Sequence, residues 1–462
     1  MKLSILQAAR EEPHGLALIS AEKSYRFAEL EALVDGRISR LQEIGLREGE
    51  GVAVVARSDV GTLLLLYALF ERRMPVVLLH PRLGQGERAP ILAEVTPRLL
   101  VDGEDWTVLA GQATLLPRDR GEPMLAVVST SGSSGRPKGA LLSRRAICAS
   151  AEASEKNLGW QEHDRWLLNL SLAHVGGLSV VTRCLIARRC VVLGKSGSFS
   201  AESAWLEIEQ QRITLLSLVP TQLSRLLCFA PERKPPRSIR AVLLGGAPAP
   251  AALLSRAAAA GWPVLTSYGL TEACSQVATQ PYGTLPGQEM GVGRPLAGVE
   301  VRIVEGRIQV KGDCLFSGYL GSGESLDPGT PDGWFDTGDL GTWGEGGCLH
   351  VLSKRCDLII SGGENVYPAE VEQALEKIPG ICAACVFGVP DPEWGQVVAA
   401  ALVVEEPCDR AQLESQMKAL LAPWKRPRRW VTCPDFPSTP SGKPDRRRII
   451  EEALVRIGPL SA

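Results

Sequence analysis

Residues 129–139 read Ser-Thr-Ser-Gly-Ser-Ser-Gly-Arg-Pro-Lys-Gly. Thr130, Ser131, Ser133 and Ser134 carry hydroxyl donors, and Gly132 and Gly135 let successive backbone N–H groups turn toward one point. That combination suits a polyphosphate, and Lys138 adds a mobile positive charge for the same anion. The spacing differs from the P-loop, in which Gly and Lys are adjacent and followed by Ser or Thr; here Pro137 precedes Lys138 and Gly139 follows it. A flexible polar turn is the competing reading. Two further residues stand out by context. His174 precedes two glycines, and Arg183 is one charge inside an otherwise apolar segment.

These residues need elements to hold them. The apolar run at 124–128 leads into the hydroxyl-rich loop as a buried strand. Upstream, strand 51–56, helix 60–70 and strand 74–80 alternate, which predicts an α/β fold with a largely parallel sheet. Downstream we expect a helix at 144–157, a strand at 166–172, an apolar helix at 178–186 containing Arg183, and a strand at 213–219. Pro220 then suits a helix start. Strand 241–244, the loop at Gly245-Gly246-Ala247, helix 251–260 closed by Gly261, strand 263–265 and a second loop at 267–272 complete a strand–helix–strand unit. Right-handed crossover places both loops on one sheet edge, where open α/β sheets bind ligands. From about Gly293 short alternating strands at 300–304, 307–311 and 348–352 suggest a small β subdomain, with a turn at 332–339. An α/β stretch with a helix at 370–377 follows.

Composition narrows the class. A chain of 462 residues exceeds one ordinary core. Lys plus Arg is 50 and Asp plus Glu 52, for a net charge of −2, which argues against nucleic acid as the main partner. Twelve scattered cysteines do not make a disulfide scaffold. Cys382 and Cys385 form a C-x-x-C in an apolar run and are read as reduced core residues. The N-terminus lacks the pattern of a signal peptide, and the longest apolar stretch, 63–70, is too short to span a bilayer. A cytoplasmic protein without membrane insertion is expected.

Four motifs in register, 129–139, Tyr268-Gly-Leu-Thr-Glu272, 334–339 and Pro437-Ser-Thr-Pro-Ser-Gly-Lys443, resemble the core motifs of the adenylate-forming superfamily of acyl-CoA synthetases, peptide-synthetase adenylation domains and luciferases. Within it, His174-Val-Gly-Gly-Leu-Ser, residues 267–276 and residues 361–372 are similar to the o-succinylbenzoate–CoA ligases of menaquinone synthesis. The resemblance implies an α/β fold in two parts. Residues 1–355 form a large N-terminal domain of parallel α/β sheets plus a small β subdomain, holding ATP and the acyl substrate. Residues 356–462 form a small mobile α+β lid carrying the catalytic lysine. The implied reaction joins a small-molecule carboxylic acid, ATP and CoA with Mg²⁺ through an acyl-adenylate. The alternatives are a CoA ligase for another aromatic or medium-chain acid, or a carrier-protein-loading enzyme. A homodimer is left open.

The resemblance also assigns roles. Lys443 would bridge the carboxylate and the α-phosphate, Thr271 would donate to that phosphate, and Glu272 would be the Mg²⁺ ligand. The loop Thr130–Gly135 with Lys138 would bind phosphates. Gly245, Gly246 and Ala247 would form a flat wall for adenine, with Tyr268 and Gly269 on the other side. Asp339 would accept from the ribose hydroxyls. Lys354 stands where the family has Arg, which keeps the charge but loses the bidentate fork. His174 and Ser267 would line the acyl pocket. Arg183 is either the partner of the second carboxylate of succinylbenzoate or a helix-end surface arginine. Cys356 marks the hinge, and Gly362, Gly363 and Lys425 would serve CoA. Arg144 receives no role.

Overall fold

The computed structural model describes residues 3–83, 85–110, 115–130, 138–195, 199–231, 233–284, 291–320, 332–354, 359–361, 364–366, 368–391, 395–405, 410–421, 423–439 and 442–457. Ser131, Gly132, Ser133, Ser134 and Gly135 lie outside them, as do Arg355, Cys356, Gly362 and Gly363.

Two sheets with parallel centres build the larger part. In the first, Leu99–Asp102, Val52–Val55, Val76–Leu79 and Glu122–Thr130 run parallel in that spatial order. Val-Ala-Val-Val and Val-Val-Leu-Leu are buried along their whole length, as expected of strands covered on both faces. In the second, Leu16–Ile19, Cys190–Leu193, Arg165–Leu168, Leu215–Leu218, Ala241–Leu244 and Val264–Leu270 are parallel neighbours. One apolar cluster runs between the sheets, joining Val52 and Val76 to Leu168, Leu215 and Leu243. The helix Val60–Glu71 lies in it. It is apolar on every side, and Asp59 caps it by accepting from the Thr62 amide at 2.7 Å.

Arg144, assigned no role by its motif context, is a structural tie. It opens the helix Arg144–Leu158, is buried, and donates to the carbonyls of Leu3 at 2.8 Å and Phe70 at 2.6 Å. The Phe70 carbonyl belongs to the last turn of its helix, the end that favours a cation.

Three expected boundaries are corrected. The strand predicted at 166–172 ends at Leu168. Beyond it Ser171 accepts from the amides of Ala173 and His174, which turns the chain into the helix Val175–Ala187 with His174 at its cap. The loop predicted at 267–272 is largely strand, because Ser267 to Leu270 pair with the antiparallel strand Ser275–Thr279. The turn predicted at 332–339 gives way to the strand Phe335–Trp343, the third of an antiparallel sheet with Val299–Val304, Arg307–Gly312 and Leu349–Lys354. On either side of residues 131–137, Glu122–Thr130 and Lys138–Ser143 pair antiparallel.

The C-terminal part has its own cores. Ile381–Asp391 and Gly395–Val404 pair antiparallel, and Arg429–Cys433 lies parallel to the latter. Strand alternation sends Val386, Val398 and Leu402 to one face, with Val371 and Leu375, and Cys385, Phe387 and Ala399 to the other, with Ile449 and Ala453. The cysteine reading is half corrected. Cys385 is core, but Cys382 is exposed, at the register shift between Ile381 and Ala383 that breaks the strand's alternation. Among the described residues no helix is long and apolar enough to cross a membrane.

Candidate active site

The ends of neighbouring strands bring the glycines and the lysine together. A Cβ on Gly245 would stand 2.9 Å from the Ser267 carbonyl oxygen, so the loop after Ala241–Leu244 is pressed on the next strand. Gly246 has φ +82°, and a Cβ there would lie 3.1 Å from Lys443 Cε and 3.4 Å from Nζ. Glycine therefore serves twice, for the backbone angle and for the approach of the lysine. Lys443 is carried on a turn in which its carbonyl accepts from the Thr439 amide at 2.7 Å and the Gly442 amide donates to the Thr439 carbonyl. Thr221, in the helix Pro220–Phe229, donates to the Gly442 carbonyl at 2.6 Å. The C-terminal lysine is thus brought against the glycine wall of the larger part.

Tyr268 is 8% exposed, and its hydroxyl donates to Asp339 Oδ2 at 2.7 Å. Burial and the neighbouring Asp339 push its pKa up, so it remains a donor. Asp339 pairs across the sheet with Lys354. Glu272 lies in the single 3₁₀ turn Thr271–Ala273 and accepts from the Tyr319 hydroxyl at 2.7 Å. Lys138 Nζ stands 5.1 Å from the centre of the Tyr319 ring. Neither the sequence motifs nor their spacing had singled out Tyr319, which is 47 residues from Glu272 and 181 from Lys138 in the chain.

Within reach of the Lys443 charge is a pair of imidazoles. His80, at the end of Val76–Leu79, accepts from the Arg82 amide at Nδ1, 3.1 Å away, so its proton is on Nε2. Its ring centre is 5.6 Å from that of His174. His174 Nε2 is buried and has no hydrogen-bond partner among the described residues. Burial, His80 and Lys443, in that order, drive the His174 pKa down to about 4, which leaves it neutral at physiological pH. His80, which the sequence reading passed over, sits at the C-terminal end of a parallel strand. That placement was the one signal available.

Arg183 is 3% exposed, which rules out the surface reading. Its Nε and Nη2 find no hydrogen-bond partner among the described residues. Its guanidinium carbon lies 5.7 Å from the Trp166 ring centre, and burial pulls its pKa down to about 10. It lines a cavity of about 10 Å³ with Ser150, Ser179, Thr182 and Cys274, room for about one water. Nearby on the sheet, Ser267 donates to the Ala278 carbonyl and bonds to Thr279 Oγ1 at 2.8 Å, and Gln276 Nε2 donates to both hydroxyl oxygens. Gln276 Oε1 is left buried without a donor among the described residues.

Of the remaining expectations, Thr130 donates to the Lys138 carbonyl at 3.3 Å. Ala247 and Gly269 lie beside the residues described above, and Gly269 is pressed on Ser275. Lys425 is paired with Glu370 at 2.5 Å. Among the described residues no group of three His, Cys, Asp or Glu could hold a metal ion. A lone Glu272 still fits Mg²⁺, which takes one or two carboxylates and completes its shell with water and phosphate oxygens. Gly245 and Gly246, where a Cβ would meet the Ser267 carbonyl and Lys443, fit the flat face of a nucleotide.

The profile of the AMP-binding enzyme family matches residues 5–119 and 113–320, and that of the AMP-binding enzyme C-terminal domain matches residues 370–443. The 2-succinylbenzoate–CoA ligase of Bacillus licheniformis is 35% identical over 96% of this chain and 98% of the relative. The o-succinylbenzoate CoA synthetase (MenE) of Bacillus subtilis is 32% identical in two solved structures. In complex with the acyl-adenylate intermediate OSB-AMP it superposes with a TM-score of 0.85 over 96% of this chain and 97% of that one. With ATP and magnesium ion the TM-score is 0.86, over 96% and 98%.

Proposed function

The chain belongs to the AMP-binding enzyme family, and on that footing we propose that it converts o-succinylbenzoate, ATP and CoA into o-succinylbenzoyl-CoA, AMP and diphosphate, a step of menaquinone biosynthesis, as a cytoplasmic enzyme. The observation that carries the reading is Lys443 against Gly246, on the edge that also presents Tyr268, Asp339 and Glu272.

The first half-reaction joins two anions, so positive charge and positioning must supply the catalysis. Lys443 bridges the acid's carboxylate and the α-phosphate, where negative charge builds as the carboxylate oxygen attacks and diphosphate leaves. Thr271 donates to the same phosphate. Lys138 and the hydroxyl-rich loop meet the other phosphates. Glu272 would hold Mg²⁺, which would supply neutralisation of phosphate charge. Gly245, Gly246 and Ala247 receive the adenine with Tyr268 and Gly269 opposite, and Asp339 accepts from the ribose, with Lys354 beside it in the sheet. His174 and Ser267 line the acyl site. A neutral His174 suits that position, because an imidazolium would repel the Lys443 ammonium and compete with it for the substrate carboxylate. Arg183 receives the second carboxylate, directly or through water, which gives its orphaned donors a partner. In the second half-reaction residues 356–462 rotate about Cys356. Lys443 withdraws, and Gly362, Gly363 and Lys425 serve the CoA thiol's approach.

The test is a CoA-thioester assay across a panel of acids. We expect o-succinylbenzoate to give the highest kcat/KM. Lys443→Ala should lose adenylation by on the order of a hundredfold or more yet still form thioester from supplied acyl-adenylate. Equal loss in both assays would refute the division of labour. Adenylate formation without CoA consumption would point instead to a carrier-protein thiol.

A further inference from the structure

Three separate chain segments are zipped together at Tyr319. The Phe316 amide donates to the Glu272 carbonyl at 2.8 Å, the Ser317 amide to the Leu141 carbonyl at 2.8 Å, and the Leu320 amide to the Gly139 carbonyl at 2.8 Å. Tyr319 itself bridges to Ala140. The segment is thus fixed on both the turn that bears Glu272 and the strand that bears Lys138. Phe316 meets the Tyr319 ring edge-on at 4.8 Å and Phe335 at 5.2 Å. Packing of this kind explains a ring at position 319. It does not explain the hydroxyl, which is directed at the Glu272 carboxylate.

Lys138 and Glu272 are opposite charges attached to the same zipped unit, yet no ion pair forms between them among the described residues. Tyr319 occupies the ground between them. Its ring lies under the ammonium and its hydroxyl binds the carboxylate. A direct pair would neutralise both groups and cost a polyanion–cation ligand the two contacts it needs.

We propose that Tyr319 is a positioning residue for the cation that accompanies ATP: it engages Glu272 Oε1, leaves the other carboxylate oxygen to the cation, and keeps Lys138 apart from Glu272 and available to phosphate. The proposal rests on the reading of Glu272 as the Mg²⁺ ligand. Groups that orient a metal-binding carboxylate from behind govern affinity although they never touch the ion.

The test is calorimetric titration of the intact chain with ATP, with and without Mg²⁺, for the wild type, Tyr319→Phe, Glu272→Gln and the double variant. Phenylalanine keeps the ring and its packing and removes the hydroxyl alone. We expect the gain in ATP affinity on adding Mg²⁺ to shrink in Tyr319→Phe by about tenfold, read against each protein's own metal-free titration. The double variant should lose no more than Glu272→Gln, because the tyrosine acts through that carboxylate. An unchanged Mg²⁺ gain in Tyr319→Phe overturns the proposal, as do losses that multiply in the double variant. A wild type whose ATP affinity ignores Mg²⁺, or a Glu272→Gln variant that keeps the full gain, overturns the reading of Glu272 first, and the role of Tyr319 with it.

Discussion

Arg183 is a charge withdrawn from water whose Nε and Nη2 meet no acceptor among the described residues. Burying a guanidinium in this way weakens the empty protein, since desolvation is not returned as hydrogen bonds. The consequence is an exchange between stability and binding. Arg183→Met, similar in length and uncharged, should raise the unfolding free energy of the unliganded enzyme by about 1–3 kcal/mol, measured by denaturant titration. The same variant should raise KM for o-succinylbenzoate by roughly tenfold or more, the worth of a charge-assisted hydrogen bond. A more stable variant with unaltered KM would remove Arg183 from the substrate site. At this scale the sequence is informative where a residue contrasts with its surroundings, as Arg183 does with its apolar helix and Lys443 with its Pro- and Gly-rich turn. Tyr319, His80 and Gln276 have no such contrast. Their significance comes from contacts across the fold, such as the 94 residues between His80 and His174, and no local pattern encodes those.

The hairpin from Val264–Leu270 through Thr271–Ala273 to Ser275–Thr279 holds Tyr268, Thr271 and Glu272 in a fixed relation. It reverses sharply. Cys274 has φ 52° and Ser275 φ 121°, and a Cβ on Gly269 would come within 1.9 Å of the Ser275 carbonyl oxygen. The backbone cannot yield on either side, because Gly269 pairs with Gln276 and Leu270 with Ser275. Gly269→Ala should therefore destabilise the protein by about 2 kcal/mol or more, seen as a lowered unfolding midpoint. It should also weaken ATP binding by displacing Glu272. Normal stability with normal binding would show that the hairpin has more slack than this geometry allows. The parallel strands were legible as elements because they are buried on both faces and read as unbroken apolar runs. Tyr268 to Leu270 were misread as loop because Gly269 suggests a turn, whereas here it marks a close approach of two strands.

The two parts of the molecule meet through Lys443, and one titration reports on that meeting. His174 is held at about 4, below the ordinary 6.5, by burial, His80 and the ammonium of Lys443. The unfolded chain binds a proton there first, so this histidine costs stability as pH falls from 6.5 toward 4 and has no effect above that window. With five histidines in the chain, the His174 ring protons can be followed individually by NMR. Lys443→Ala should move their midpoint upward and shrink the acid loss of stability, which still begins near 6.5 but ends at a higher pH. An unmoved midpoint would mean that the lysine spends its time elsewhere in solution. The division into a larger part and a C-terminal part with its own cores follows from the order of sequence textures. The pose of one on the other does not, since it depends on contacts such as Thr221 with Gly442. That contact has a further implication. Thr221 grasps a carbonyl oxygen, which every amino acid possesses, so the clasp does not depend on side-chain identity in the tail. A bond of this kind is worth about 1 kcal/mol, weak enough for heat alone to release it in the rotation proposed above. A change of side chain in the tail around its lysine therefore leaves the catch itself in place.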